Sequence, residues 1–501
     1  MKNLLLLLLT GLTLVGQNGF AQMGELPEDK ITAAQLKSDI YWFASDFLQG
    51  RNTGKPGNDI AANFLATQIE AAGFKPAPGQ DSYFQTINFE ANTPPQEGSL
   101  TINKNSYSYK EDFIFLTGKA AQLKNAKAVY AGYGMESDYE GLDVAGKVVF
   151  VMGGDPDNRS NQAIFDAIPK KRKIAEAKGA AALIEIYNLS FPWNFFVQYF
   201  GRESLSLPSA DQSNAGRTIV YGWMQPSTEY DDVKVLKEGG KAKVSLSSSG
   251  FSQKIMPSSN VVGVLEGSDP ELKDEYVLLS AHFDHVGVGA EGGGAYTEAD
   301  SIFNGTRDNG IGSMAMLATA RALGQKPPKR SIIYFACTGE EKGLLGSKYY
   351  AENPLVPLEK TVFNLNIDNG GYNDTSIVTI IGYGRTGTDE AVDAASAKYG
   401  LKAIADPAPE QGLFDRSDNV SFAAKGVPCL SFSMGFTAFD AEIMKYYHQV
   451  SDNPDNVDYD YIQKYAQAYA NLARRIANME TLPFWKEGDK YEAAGKELYN
   501  K

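Results

Sequence analysis

The sequence predicts an α/β fold: a mostly parallel sheet sandwiched by helices, with a second, smaller α/β unit inserted. Strand-like runs of largely apolar character (VVGVLEG, YVLLSAHF, SIIYFACT, TVFNLNI, SIVTIIG, PCLSFSM) recur after residue 260, as expected of strands buried on both faces. Helix-like segments, for example residues 312–323 and 390–400, separate several of them, as the crossovers of a parallel sheet require. From about 115 to 250 the texture changes to short β-runs around one helix-like segment, KKRKIAEAKGA, which reads as an insertion.

Taken in order, the chain opens on Met1-Lys2-Asn3, an apolar run over residues 4–16 and a small-x-small step at Gly19 and Ala21. That is the pattern of a secretory signal cut after Ala21. The run is shorter than the ~18–20 apolar residues that span a bilayer, and no cysteine stands at the cut. No stable membrane anchor is therefore expected, and the mature protein is expected to be periplasmic or secreted. Residues 22–114 begin the main domain; 33–48 and 58–72 carry apolar residues at helical spacing, with Ile60, Phe64, Leu65 and Ile69 as one stripe and Gly73 as its stop. The intervening GRNTGKPG reads as loop. The insertion, 115–250, holds no histidine or cysteine, so no metal chemistry is expected there. Its aromatic stretch, residues 190–201, reads as packing between domains, with a substrate-facing lid as the alternative. SSSGFSQKIMPSSN reads as a linker into the main catalytic part, residues 251–480, and 481–501 as a tail with a short amphipathic helix.

Of the 501 residues, 43% are hydrophobic and 22% charged, as in globular proteins. The 47 basic and 61 acidic residues give a net charge of −14, which repels phosphate backbones, so no nucleic-acid partner is expected. Cys337 and Cys429 lie in apolar runs and read as buried small hydrophobes, with a single bridge between them left open. There is no CxxC to make a thiolate metal site. Any imidazole chemistry must use His282, His285 or His448.

In open α/β sheets, ligands bind beyond the carboxyl ends of the strands. The run YVLLSA ends in His282-Phe283-Asp284-His285, SIIYFACTG in Glu340-Glu341 and TVFNLNI in Asp368; Asp308 lies in a glycine-rich loop before the 312–323 helix, and the loop after PCLSFSM reaches His448. Each piece alone has an ordinary explanation, such as a solvated acid pair, a core histidine or an Asp-Asn-Gly turn. Their joint placement at successive strand ends points to a metal centre, because so many gathered carboxylates repel one another without cations. Imidazole mixed with carboxylate suits zinc, and Asp284, on the same side of an extended strand as His282, is placed to orient it. Two imidazoles and three carboxylates favour two metals sharing a bridging carboxylate. The adjacent glutamates divide naturally, one binding metal while its neighbour moves the proton of a water.

With these motifs the chain resembles the secreted co-catalytic zinc exopeptidases that include bacterial leucyl aminopeptidase, aminopeptidase Y and the glutamate carboxypeptidases. The resemblance runs through SDFLQGRNTGKPG, SAHFDHVG, NGTRDNGIG, CTGEEKGLLGS, NLNIDNGG, SDNVSFAAKGVP and YYHQVSD. The insertion is similar to a protease-associated domain. The resemblance implies a phosphorylase/hydrolase-like fold and two zinc ions. His282 and Asp368 would ligate one, Glu341 and His448 the other, and Asp308 would bridge them. It further implies Glu340 as general base, Asp284 as the partner of His282, and Tyr447 as a group steadying the oxyanion. His285 would be structural. Three positions depart from the common pattern: Arg307 before the bridging aspartate, Asn419 in Ser417-Asp418-Asn419, and Asn369 after Asp368.

The expected function is an aminopeptidase acting on peptides. The alternative is a carboxypeptidase or dipeptidase for acidic substrates, with Arg307 or Arg416 holding a carboxylate. A single-zinc glutaminyl cyclase and an inactive binding protein are further alternatives; the complete ligand set weighs against both.

Overall fold

The computed structural model describes residues 25–158, 160–208 and 218–501. The expected signal lies outside the described residues. A ten-stranded sheet has at its centre four adjacent parallel strands, Ser331–Cys337, Tyr276–His282, Thr361–Asn366 and Cys429–Met434. Every residue in them except Tyr276 is buried. Burial on both faces is why these runs are largely apolar, and the buried polar residues Ser280, Asn364, Asn366 and Ser431 among them hydrogen-bond to one another across the strands.

Outside these four strands the sheet also contains antiparallel pairs. Ile377–Ile381 opposes Cys429–Met434, and Ser252–Leu265 opposes both Ser331–Cys337 and Phe84–Thr93. Phe84–Thr93 leads the chain out to the insertion and Ser252–Leu265 brings it back, so adjacent strands must run in opposite directions without a crossover. The expected linker is therefore mostly strand. Its outer half is largely exposed and mixes polar with apolar residues, which hid it from a search for apolar runs.

Five helices, Ala33–Phe43, Pro56–Ala71, Ile311–Gln325, Asp389–Lys398 and Tyr459–Ala477, share one core against one face of the sheet. Leu345–Glu352, Asn419–Ala423 and Glu492–Leu498 supply Tyr350, Phe422 and Leu498 to a separate cluster. Tyr459–Ala477 starts where the Asp458 carboxylate accepts the backbone N–H groups of Asp460 and Tyr461, a capping bond that fixes the first turn. Tyr461, Tyr465 and Tyr469 stand at i, i+4 spacing on one face. Their hydroxyls donate to the carbonyls of Ile377, Phe432 and Leu365 at 3.0, 2.8 and 3.0 Å. Three large rings are thereby buried with their polar ends satisfied.

The second sheet has eight strands, from Gly98–Ile102 to Lys243–Ser248, and these two pair with each other. It begins upstream of the expected boundary at 115, which falls inside the strand Phe113–Thr117. The helix Trp193–Phe200 buries Phe196 against Trp223, ring centroids 5.0 Å apart, while Phe195 and Tyr199 stay exposed. Directly afterwards Ser204–Ser206 pairs with Phe84–Thr93 of the large sheet. The aromatic stretch thus packs inside the insertion and hands the chain across to the other sheet.

One buried ion pair organises the insertion. Lys171 and Glu185 are fully buried and 2.8 Å apart. The Lys171 ammonium also donates to the Met152 carbonyl, and the Tyr221 hydroxyl donates to the other Glu185 oxygen. Lys171→Met leaves a carboxylate without its cation and should cost about 3–5 kcal/mol of unfolding free energy in a urea titration. Adding Glu185→Gln should restore much of that loss.

Cys337 and Cys429 are both buried and free; the Cys337 thiol donates to Asp418 at 2.9 Å. Among the described residues no helix is long and apolar enough to cross a membrane.

Candidate metal centre

The carboxyl ends of the central strands converge on one point. His282 ends its strand, Glu340 and Glu341 follow Ser331–Cys337, and Asp368 follows Thr361–Asn366. Asp308 and His448 arrive from the loops before Ile311–Gln325 and after Ala441–Met444.

Asp308 stands between two groups of donors. One of its oxygens is 3.4 Å from His282 Nε2, which is itself 3.2 Å from Asp368. Its other oxygen is 3.1 Å from His448 Nε2, which lies 3.3 Å from Glu341. Two sets of ligand atoms, His282–Asp308–Asp368 and His285–Asp308–Glu341–His448, are each compact enough to hold one ion.

The electrostatics agree with a cation site. Burial alone would push the His282 imidazole down, but Asp368 and Glu340 outweigh it and hold its pKa well above the ordinary value. Burial likewise opposes charge on His448, yet Glu341 and Asp308 raise its pKa to about 11. Burial and the Glu341 charge would raise Asp308, but contacts with His282 and His448 bring it to about 2. Burial dominates at Glu340, whose pKa lies well above the carboxylate range. Carboxylates gathered around two imidazoles favour positive charge at this point and provide the oxygen-rich, partly imidazole environment that suits zinc.

Asp284 serves both sides of this centre. Its backbone carbonyl is 3.2 Å from His282 Nδ1, closer than its carboxylate at 3.8 Å. The carboxylate accepts the Thr53 hydroxyl at 2.9 Å and the Glu340 backbone N–H at 3.1 Å. It therefore sets the Glu340 backbone as much as the His282 ring, and burial lifts its pKa to about 6. His285 is fully buried with Nδ1 2.8 Å from Glu341, off hydrogen-bond geometry, and neither ring nitrogen finds a hydrogen-bond partner among the described residues. Gly305 has a left-handed backbone, and a Cβ there would collide with the His285 ring. The Tyr447 ring stacks on His448 at 4.2 Å and lines the same pocket as Glu340.

Residues 260–473 match the model described as Peptidase family M28. Over these residues the chain is similar to that family. Every residue from His282 to His448 discussed above lies inside the matched region. The chain is 26% identical over 355 residues to aminopeptidase YwaD of Bacillus subtilis (strain 168), a match covering 69% of this chain and 65%, just under two thirds, of the relative. It is 25% identical over 497 residues to a probable leucine aminopeptidase 2 of Aspergillus oryzae, covering 94% of this chain and 88% of that one. The fold resembles the solved structure of an aminopeptidase from Aneurinibacillus sp. strain AM-1, with a TM-score of 0.59 and 19% identity over 92% of this chain and 96% of that one.

Within the matched region the three departures are structural. Arg307 is buried and does not face the pocket; it donates to Asp452 at 2.9 Å and to Asn456, and stacks on Tyr446 at 3.7 Å. The reading of Arg307 as a substrate anchor gives way to a clamp between the Asp308 loop and the His448 loop. Asn369 accepts the Met434 N–H at 2.8 Å and lies 2.9 Å from the Tyr465 hydroxyl, and Asn419 donates to the Phe414 carbonyl at 3.0 Å.

Three positioning residues were not singled out from sequence. Asp452 accepts the Arg307 backbone N–H at 2.8 Å as well as its side chain, and so braces the loop in which His448 adopts a φ of 53°. Arg51, fully buried, donates to the carbonyls of Phe283, Asn304 and Gly305 at 2.8, 2.6 and 2.8 Å. Burial lowers its pKa to about 10. Thr53 holds Asp284. The GRNTGKPG segment contained the last two, but a loop motif does not say which side chains point inward.

Proposed function

We propose that this protein is an exported, zinc-dependent aminopeptidase that removes N-terminal residues from peptides. The observation that carries the reading is Asp308, whose two oxygens face two different imidazoles at 3.4 and 3.1 Å. That is the disposition of a carboxylate shared by two metal ions. His282 and Asp368 would hold one zinc, Glu341 and His448 the other. When bound, such a pair polarises a scissile carbonyl and lowers the pKa of an attacking water.

The chain's own groups supply the rest. Glu340 takes the proton of the water and passes it to the departing amine, with its backbone held by Asp284. Tyr447, which lines the same pocket as Glu340, donates its hydroxyl to the oxyanion. A pocket of 110 Å³ brings the carboxylates of Glu340 and Asp368 together with the apolar walls of Ile381, Leu413, Phe436 and Phe439. Such a pocket suits an N-terminal ammonium and an apolar side chain. Export rests on the apolar run and small-x-small step of the first residues.

Leucyl p-nitroanilide is the direct substrate test. A chelator should abolish its hydrolysis and added zinc should restore it, while N-acetylated peptides should resist cleavage. Activity that survives chelation, or equal cleavage of blocked and free peptides, removes the reading.

A further inference from the structure

The small pocket opens onto a larger cleft of 720 Å³, and the two share Glu340, Glu341, Arg416 and Tyr447. One wall of the large cleft is the segment that crosses from the inserted sheet to the main one, with Tyr199, Phe200 and Arg202; the other includes Lys342 and Lys348. Arg416 stands where the two spaces meet.

The charge of this cleft is unlike that of the chain. The protein as a whole is at −14, yet Arg202, Lys342, Lys348 and Arg416 all line this space. None of the four has a carboxylate oxygen within 4.0 Å among the described residues. The Lys348 ammonium donates only to the Gly343 carbonyl, at 2.9 Å, and Arg202 lies over the Tyr199 ring at 5.5 Å. Of the acids in the cleft, Glu203 is occupied by Lys254 at 3.2 Å and by Thr93 at 3.1 Å, and Glu340 and Glu341 belong to the metal centre. Arg202, Lys348 and Arg416 are exposed, so a ligand reaches them without displacing packed side chains. The segment that carries Arg202 is held by the pairing of Ser204–Ser206 with Phe84–Thr93.

An enzyme that removes one terminal residue needs a closed space for that residue and an open one for the remainder of the peptide. The small pocket, with apolar walls beside the carboxylates of Glu340 and Asp368, and the larger basic cleft share Glu340 and suit those two parts of a peptide. We propose that the basic cleft binds a carboxylate on the departing part of the peptide, one or two residues beyond the cleaved bond. This inference rests on the aminopeptidase reading and adds the substrate class: short peptides with a free C-terminus, or peptides acidic just after the first residue. It also gives the inserted unit a function, since Arg202 comes from it.

Two matched pairs of substrates test it and separate the two sources of carboxylate. Leu-Gly-Gly against its C-terminal amide reports the terminal carboxylate. Leu-Glu-Gly-Gly amide against Leu-Gln-Gly-Gly amide reports the side chain. At least one pair should show a preference in kcat/KM on the order of tenfold for the charged member, from charge-assisted contacts in a partly screened cleft. That ratio should fall toward one in the Arg202→Gln/Lys348→Gln double variant, chiefly through KM, and should shrink as ionic strength rises. Ratios within about twofold of one in the unmodified enzyme, or a preference untouched by the double variant, overturn the inference while leaving the aminopeptidase reading in place. Absence of any chelator-sensitive cleavage, leucyl p-nitroanilide included, overturns the underlying reading and this inference with it.

Discussion

Asp308→Ala should release both metal ions at once. After zinc loading and dialysis, elemental analysis should find fewer than one zinc per chain, and hydrolysis of leucyl p-nitroanilide should fall by at least ~10³-fold, about 4 kcal/mol of transition-state stabilisation. The expectation follows from geometry rather than from charge count. Each Asp308 oxygen faces a different imidazole, at 3.4 and 3.1 Å, so truncation removes an oxygen donor from each group and the anion between two cations. His448→Ala is the contrasting variant: it touches only the group containing Glu341 and should cost one equivalent of zinc. If Asp308→Ala still binds two, the ions are not bridged by this residue. If His448→Ala loses both, the sites fill cooperatively, and the assignment of separate ligand groups needs revision. Thermal unfolding gives an independent reading, because zinc that binds only the folded chain raises Tm in proportion to ln(1 + [zinc]/Kd). The Asp308 variant should lose that dependence.

The parts of this centre that were legible in the sequence are those that sit at the ends of buried strands. His282, Glu340, Glu341 and Asp368 each lie at or just past the end of a buried run whose few polar members are all uncharged, so a carboxylate or imidazole at such a boundary stands out. Asp308 and His448 come from loops and were legible only jointly, through residue type and the scarcity of histidine. Arg51, Thr53 and Asp452 were not legible, because their work consists of hydrogen bonds to backbone and to other polar groups across long sequence separations. No periodicity records such contacts. The same limit applied to the fold: the strand Ser252–Leu265 is held along its largely exposed half by a ladder with Phe84–Thr93, and main-chain ladders leave little trace in side-chain pattern. The insertion boundary was set too late for a related reason, since Gly98–Ile102 belongs to the small sheet through its pairing with Lys243–Ser248, far along the chain.

Glu340→Gln should keep its zinc and lose its rate. The amide is nearly isosteric, the backbone N–H that Asp284 accepts at 3.1 Å is unchanged, and the proposed metal ligands are not altered. What disappears is the ability to accept a proton, and general acid–base groups contribute ~10²–10⁴-fold. The loss should fall on kcat, with KM little moved, because the proton transfer is made in the transition state and not in the bound substrate. Metal content by elemental analysis separates this result from simple damage to the site, and Glu341→Gln supplies the comparison, since Glu341 faces His448 at 3.3 Å and its variant should lose zinc as well as rate. The two adjacent carboxylates would then differ in kind. The neighbour that contacts histidine holds the ion, and the one whose pKa burial raises moves the proton. If Glu340→Gln loses metal, or keeps its rate, the two roles have been assigned the wrong way round.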